Sequence, residues 1–274
     1  MAPDARLFTP AEPVLRPAGA RPVPLRAFAG LVVHLTARQL KSSHHLTLLG
    51  WGWPVVRLLA QLAVLVFLFS KVLNLHVPNY PIFVFVGLIG WNWFSAGVGA
   101  AATSVLSQRH LVMQPRLPSS VLPVVAAAVP LVDVLFALPV LGLMLGLSTG
   151  LRWSLVACPL VVGLEFVLIV GLAWLVAGVS VFLRDVPNIV GVGLMILFYL
   201  TPVFYAGTHV PERFRWVLQL NPLTTILELY RWLMLGSPGP GAGRVGAVVA
   251  ATLAVALLGH RVFAHLASRF ADHL

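Results

Sequence analysis

The sequence predicts an all-α integral membrane protein. Six transmembrane helices are expected, with an N-terminal amphipathic interfacial helix before the first and re-entrant helices before the last. Three observations predict this. Of the 274 residues, 59% are hydrophobic and only 9% are charged, against roughly 25% charged in soluble domains. The mean hydropathy is +0.94. The apolar residues gather in six runs near the ~20 residues needed to cross a bilayer. A chain this apolar could not cover a water-facing surface with polar groups. That excludes an ordinary soluble enzyme, a disordered protein and a nucleic-acid-binding module. The formal charge is +10, but the basic residues lie mostly between apolar runs. Membrane orientation explains them better than a nucleic-acid partner does.

Residues 1–26 hold Arg6, Arg16, Arg21 and Arg26 among six prolines, with no apolar core. A cleavable signal peptide needs an apolar run after its basic start, so a short disordered cytoplasmic tail is expected. Residues 27–50 form the next unit. Phe28, Leu31, Val32, Leu35 and Leu40 are apolar, while His34, Arg38, Lys41 and His45 recur at helical steps. One cationic face suits a helix lying in the cytoplasmic headgroup layer. A soluble amphipathic linker is the alternative. Trp51 and Trp53 follow, where the chain should enter the bilayer and indole rings are favoured.

Residues 51–274 are expected to form one six-span domain. The spans are placed at 54–73, 81–104, 119–147, 153–182, 187–206 and 244–263. Turn residues separate them, as at Asn74 to Pro81, Ser148-Thr149-Gly150, and Gly236 to Gly243. An even number of spans puts both termini on one side. That side receives twelve basic residues, among them Arg38, Lys41, Arg57, Arg109, Arg116 and Arg184. The other receives six: Lys71, Arg152, Arg213, Arg215, Arg231 and Arg244. Both termini are therefore expected in the cytoplasm. Residues 208–236 are too broken by Pro211, Asn221 and Pro222 for a full crossing, yet too apolar for an exposed loop. Two short helices dipping back from the outer face, broken at Asn221-Pro222, are expected there.

Much chemistry is missing from the sequence. Cys158 is the single cysteine, so no intrachain disulfide forms. Neither Lys41 nor Lys71 follows a glycine, so no nucleotide-binding loop is present. No His-Glu-x-x-His or Gly-x-Ser-x-Gly occurs. The nine histidines lack ligand spacing, and no metal or cofactor is expected on this chain. Two acids, Asp133 and Glu165, fall deep within spans. Ionised carboxylates there are costly and point to function, such as proton coupling. The alternative is a protonated or hydrogen-bonded acid tying helices together, helped by Gln61, Asn92 or a hydroxyl.

Four stretches, taken in order, resemble one known family. The first is LTARQLKSSHHLTLLGWGWP, Leu35 to Pro54. The second comprises GLIGWNWFS, Gly87 to Ser95, and SQRHLVMQPRLPSSVLP, Ser107 to Pro123. The third is VFLRDVPNIVGVGLMILFYLTPVFY, Val181 to Tyr205, with a Phe-x-Arg-Asp turn and a Thr-Pro-x-x-Tyr ending. The fourth is NPLTTILELYRWLMLG, Asn221 to Gly236. Together they span about two-thirds of the chain. They resemble the permease subunit of ATP-binding-cassette exporters of the O-antigen and teichoic-acid type. Departures occur at Gln39, where Asp is usual, at His44-His45, at Met113-Gln114 in place of a lysine pair, and at Leu117-Pro118 in place of Phe-Pro.

The resemblance implies the same six-span layout. It also implies a homodimer, two copies of a separate ATPase that carries ATP and Mg, and a polyprenyl-linked glycan as cargo in a bacterial cytoplasmic membrane. Coupling is expected on the cytoplasmic face. A short helix between Ser107 and Pro118 would dock on the ATPase through Arg109 and Arg116, though positive-inside anchoring explains those charges equally well. Arg38 and Lys41 would touch the ATPase, lipid phosphate or a pyrophosphate headgroup. Arg184 and Asp185 close a tight turn and read as mainly structural. Aromatic residues mark the cargo path: Trp91, Trp93 and Phe94 in the second span, and Tyr199, Phe204 and Tyr205 in the fifth. Helix packing or an interface belt is the alternative. Asn221, Pro222 and Arg231 would shape the outer gate. Rival readings are an exporter permease for a drug or lipid, and a proton-coupled carrier or membrane enzyme using Asp133 and Glu165.

Overall fold

The computed structural model describes residues 24–43, 50–73, 77–112, 117–148, 150 and 152–270. Every regular element among them is a helix. Helix α1 (Leu25–Ser43) starts two residues before the expected boundary. The remainder of the expected tail, with Arg6, Arg16 and Arg21, lies outside the described residues, as do His44 and His45. Phe28 and Val32 of α1 pack on the main core, while His34, Arg38 and Lys41 are exposed.

Helix α2 (Trp53–Val66) continues into a π-helical turn, Phe67–Val72. Then come α3 (Tyr80–Ser107), the single turn α4 (Arg109–Val112), and α5 (Val121–Ser148). A 3-10 turn, Trp153–Ala157, leads into α6 (Cys158–Ser180). The chain closes with α7 (Val186–Leu200), α8 (Arg215–Leu220), α9 (Pro222–Leu235) and α10 (Ala242–Ala267). Prolines occupy the first turn of α2, α3, α6, α7 and α9. A missing N–H costs nothing there, and the fixed φ suits the helix.

Among the described residues, five helices are long and apolar enough to cross a membrane: Trp53–Val72, Tyr80–Ser107, Val121–Ser148, Trp153–Ser180 and Ala242–Ala267. Their bounds agree with the sequence expectation to within four residues. The expected span over 187–206 is shorter. Helix α7 has 15 residues, roughly 22 Å at 1.5 Å each. It stops because Thr201 precedes Pro202, and the residue before proline avoids the α region. Thr201 is extended, with φ −94° and ψ 135°.

Helix α3 is the hub, touching α2, α5, α6, α7 and α9. Its Trp93 donates Nε1–H to the Ala127 carbonyl of α5 at 3.0 Å. Trp174 of α6 does the same to Ser120 at 3.0 Å. Helices α6 and α10 pair closely through Gly171 and Gly259. A β-carbon on Gly171 would lie 2.8 Å from the Ala256 backbone. Close backbone approach through small residues is the usual basis of helix pairing where no hydrophobic effect operates. Ser148 donates to Asn79 Oδ1 at 3.0 Å, which joins the end of α5 to the start of α3.

Candidate functional site

Two proline-induced breaks meet in space. Asn221 is extended ahead of Pro222, with φ −86° and ψ 109°, and separates α8 from α9. Its Oδ1 accepts from the Leu223 N–H at 3.0 Å, which caps α9. Its Nδ2 donates to Thr201 Oγ1 at 2.8 Å. Thr201 Oγ1 in turn donates to the Leu197 carbonyl at 2.7 Å, closing the end of α7. One asparagine thus starts one helix and ties it to the end of another.

The turn after α7 leaves carbonyls that no helix uses, and buried polar groups need partners. Arg231, on α9, supplies two. Its Nη1 donates to the Pro202 carbonyl and its Nη2 to the Val203 carbonyl, both at 2.7 Å. Its Nε donates to the Phe83 carbonyl at 3.4 Å. The guanidinium also lies 3.6 Å from the centroid of the Phe83 ring, a cation–π contact. A planar fork with five donors is suited to such a cluster of acceptors. Tyr80 adds a third clamp, donating to the Phe204 carbonyl at 2.7 Å. The carbonyls of 202, 203 and 204 are therefore all held by side chains from α3 and α9.

Arg231, expected among the outer-gate residues, is 4% exposed, because its partners are backbone carbonyls rather than solvent. Asn221, at the start of the same helix, holds the neighbouring Thr201. Tyr80, Phe83 and Gly87 complete the latch, and sequence reasoning missed all three. A β-carbon on Gly87 would lie 2.6 Å from the Val203 carbonyl oxygen. The glycine pair Gly87 and Gly90 in an apolar run was the available signal.

An aromatic cluster lies under the latch. Phe204 packs on Phe69 of the π-turn at 4.8 Å, on Tyr205 at 5.2 Å and on Phe198 at 5.5 Å between ring centroids. Phe198 continues to Trp91 and to Tyr199, each at 5.4 Å. Trp91 reaches Phe94 at 5.9 Å. Five of the six aromatic residues expected on the cargo path are brought together here, with Phe69 and Phe198 added. Trp93 is not among them. It stacks on Phe166 at 6.2 Å, on the α6 side of α3, and is 2% exposed.

The two intramembrane acids do not share a site. Glu165 is fully buried and its Oε2 accepts from the Tyr230 hydroxyl at 2.8 Å. Gln61 and Asn92, expected as partners for the acids, bond to each other at 3.1 Å. Asp133 lines a separate pocket of about 100 Å³ with Arg57 and Asn92.

At the opposite end, Arg109 is exposed on α4 and Leu111 beside it is buried. Pro118 is half-buried, and Arg116 lies outside the described residues. Arg184 and Asp185 are exposed, and Asp185 starts α7 without a side-chain cap. The turn is closed by backbone bonds such as Leu183 N–H to the Val179 carbonyl.

Residues 30–235 match the family model described as ABC-2 type transporter. The chain is similar to the O-antigen export system permease protein RfbA of Myxococcus xanthus. They are 29% identical over 254 residues, 91% of this chain and 97% of that protein. Two proteins of Klebsiella pneumoniae with the same name are 28% and 27% identical over 208 residues, covering 75% of this chain and 80% of each relative.

Proposed function

The chain belongs to the ABC-2 type transporter family, and from that premise we propose that it exports a lipid-linked, O-antigen-type polysaccharide across a bacterial cytoplasmic membrane. It is the multi-pass transport subunit of an ABC exporter. In the proposed assembly two copies pair, and two copies of a separate ATPase chain bind and hydrolyse ATP. The short helix α7 serves as the sixth crossing, its 15 residues extended by the turn at 201–205. Both termini face the cytoplasm.

The observation that carries this reading is the join between Thr201-Pro202 and Asn221-Pro222, clamped by Arg231. It fixes α8 and α9 to the end of α7, directly above the aromatic cluster. Sugar C–H faces pack on such rings with weak, repeated contacts, which suits a chain that must keep moving. ATP binding at the far end closes the ATPase pair and pushes on α4 and on the face of α1 bearing Arg38 and Lys41. The helices carry that motion to the clamped turn and open the path. A pull-down from native membranes, followed by mass spectrometry of proteins and lipids, tests the reading. A stoichiometric ATPase with a polyprenyl-linked glycan is expected. An ATPase with only phospholipid or a small hydrophobe would favour a lipid or drug exporter. The absence of any ATPase would sink both.

A proton-coupled carrier using Asp133 and Glu165 is less well supported. The two acids line separate pockets whose shared walls are Ile89, Trp93 and Val134, where a proton path would need polar groups.

A further inference from the structure

Arg57, Asn92 and Asp133 line one pocket of about 100 Å³ between α2, α3 and α5. All three lie on membrane-crossing helices, where ionisable side chains are costly and mark function. Arg57 is exposed and makes no hydrogen bond or ion pair with any described residue. Asn92 Nδ2 donates to Gln61 Oε1 and to the Leu88 carbonyl. Its Oδ1 accepts no bond and is not sealed from the surface. Asp133 is half-buried, and a carboxylate accepts from several donors at once. One small space thus offers a guanidinium, a carboxylate and an open amide oxygen.

The pocket lies where two helices emerge into the apolar layer. Over Val121–Pro130 helix α5 is largely buried, and α1 packs beside it. Just past Asp133, Leu135 and Leu138 are exposed. On α2, Trp53 is exposed, and indole rings favour the headgroup boundary. Arg57 is one turn further in, about 6 Å along the axis, a depth from which a long side chain still reaches headgroups. Val56 and Leu59 beside it are exposed apolar surface.

We propose that this pocket binds the headgroup of a phospholipid carrying a phosphoethanolamine zwitterion. Arg57 takes the phosphate, which a planar fork of donors suits. The primary ammonium donates to Asp133 and to Asn92 Oδ1, and the acyl chains lie on the exposed faces of α2 and α5. A trimethylammonium has no N–H to donate, and a glycerol headgroup brings no cation to Asp133. The proposal depends on the membrane-spanning fold and not on the nature of the exported cargo.

The test uses the full chain in detergent micelles, equilibrated with an equimolar mixture of dioleoyl lipids bearing ethanolamine, choline and glycerol headgroups. Native mass spectrometry reads the retained lipid. The ethanolamine lipid should be retained about tenfold over each of the others, the ratio one charge-assisted hydrogen bond supplies. Asp133→Asn should equalise the ethanolamine and glycerol lipids. Because Asp133 is half-buried, Arg57→Gln serves beside it from an exposed position. It should lower retention of the ethanolamine lipid about tenfold in a chain that still elutes as one species. Free phosphoethanolamine should not displace the lipid, since it lacks the acyl chains; displacement would overturn the assignment to a lipid. Equal retention of the three lipids by the unaltered chain would overturn the proposal. So would a preference that persists in both variants.

Discussion

Gly87 and Arg231 are in contact to the limit of packing: a β-carbon on Gly87 would lie 2.7 Å from Arg231 Nη2. The guanidinium lies where it does because one residue of α3 has no side chain. Gly87→Ala should therefore push the fork off the Val203 carbonyl, despite the better helix propensity of alanine. Export should fall at least about tenfold, the equivalent of one strong hydrogen bond, while membrane insertion persists. Gly163→Ala is the control, because nothing lies within 4 Å of its β-position. It should leave export intact. Equal behaviour of the two variants would refute the fit.

Arg231→Lys should fail despite keeping the charge. An ammonium cannot reach two carbonyls in a fork, so one is left bare at a cost of about 1–3 kcal/mol. Thermal unfolding in detergent should show a lower midpoint for Arg231→Lys than for the unaltered chain. An unchanged midpoint would mean the three bonds add nothing.

Tyr80→Phe and Asn221→Ala probe the other clamps. Each removes hydrogen bonds to the segment that ends α7, and each should cost about 1 kcal/mol. Combined with Thr201→Val, Asn221→Ala should be less than additive, since the two residues share one bond. Tyr80→Phe and Thr201→Val share none and should add. Additivity in both pairs would count against a specific Asn221–Thr201 link.

Gly259 packs against the Gly171 backbone. Gly259→Leu should separate α6 from α10 and abolish accumulation of the protein in membranes. Gly246→Leu, at the start of the same helix with open space around it, should be tolerated. Immunoblotting of membrane fractions distinguishes the two.

Arg109→Glu together with Arg116→Glu should uncouple ATP hydrolysis from export without preventing insertion. Normal export by that double variant would remove α4 from the coupling path.

The helical fold was legible because each span is a long apolar run with a proline or turn at its start. Pro54, Pro81, Pro159, Pro187 and Pro222 announce five helices from local chemistry alone. The break at Asn221-Pro222 was legible for the same reason. The length of α7 was not. Thr201-Pro202 marked a break in the run from Val186 to Tyr205, but the partners that satisfy the carbonyls of 202–204 and make a turn there stable could not be read locally. Those partners, Tyr80 and Arg231, are remote in sequence. Arg231 was singled out by residue type, but its acceptors, the carbonyls of 202 and 203, were not legible. The Glu165–Tyr230 pair was hidden likewise, since Gln61 and Asn92 were equally good partners by composition. Trp93 resembled Trp91 in sequence, and two positions along a helix turned it to the other face.

The clamp on residues 202–204 grips main-chain oxygens, which every amino acid carries. Substitutions at Val203 or Phe204 alter side-chain packing while leaving the grip in place. On the proposed cargo path, selection can thus change the side chains that a polymer would meet without first rebuilding the clamp. Swapping aromatic side chains between related exporters at these positions is a practical route to altered cargo range, whereas exchanging Arg231 is not.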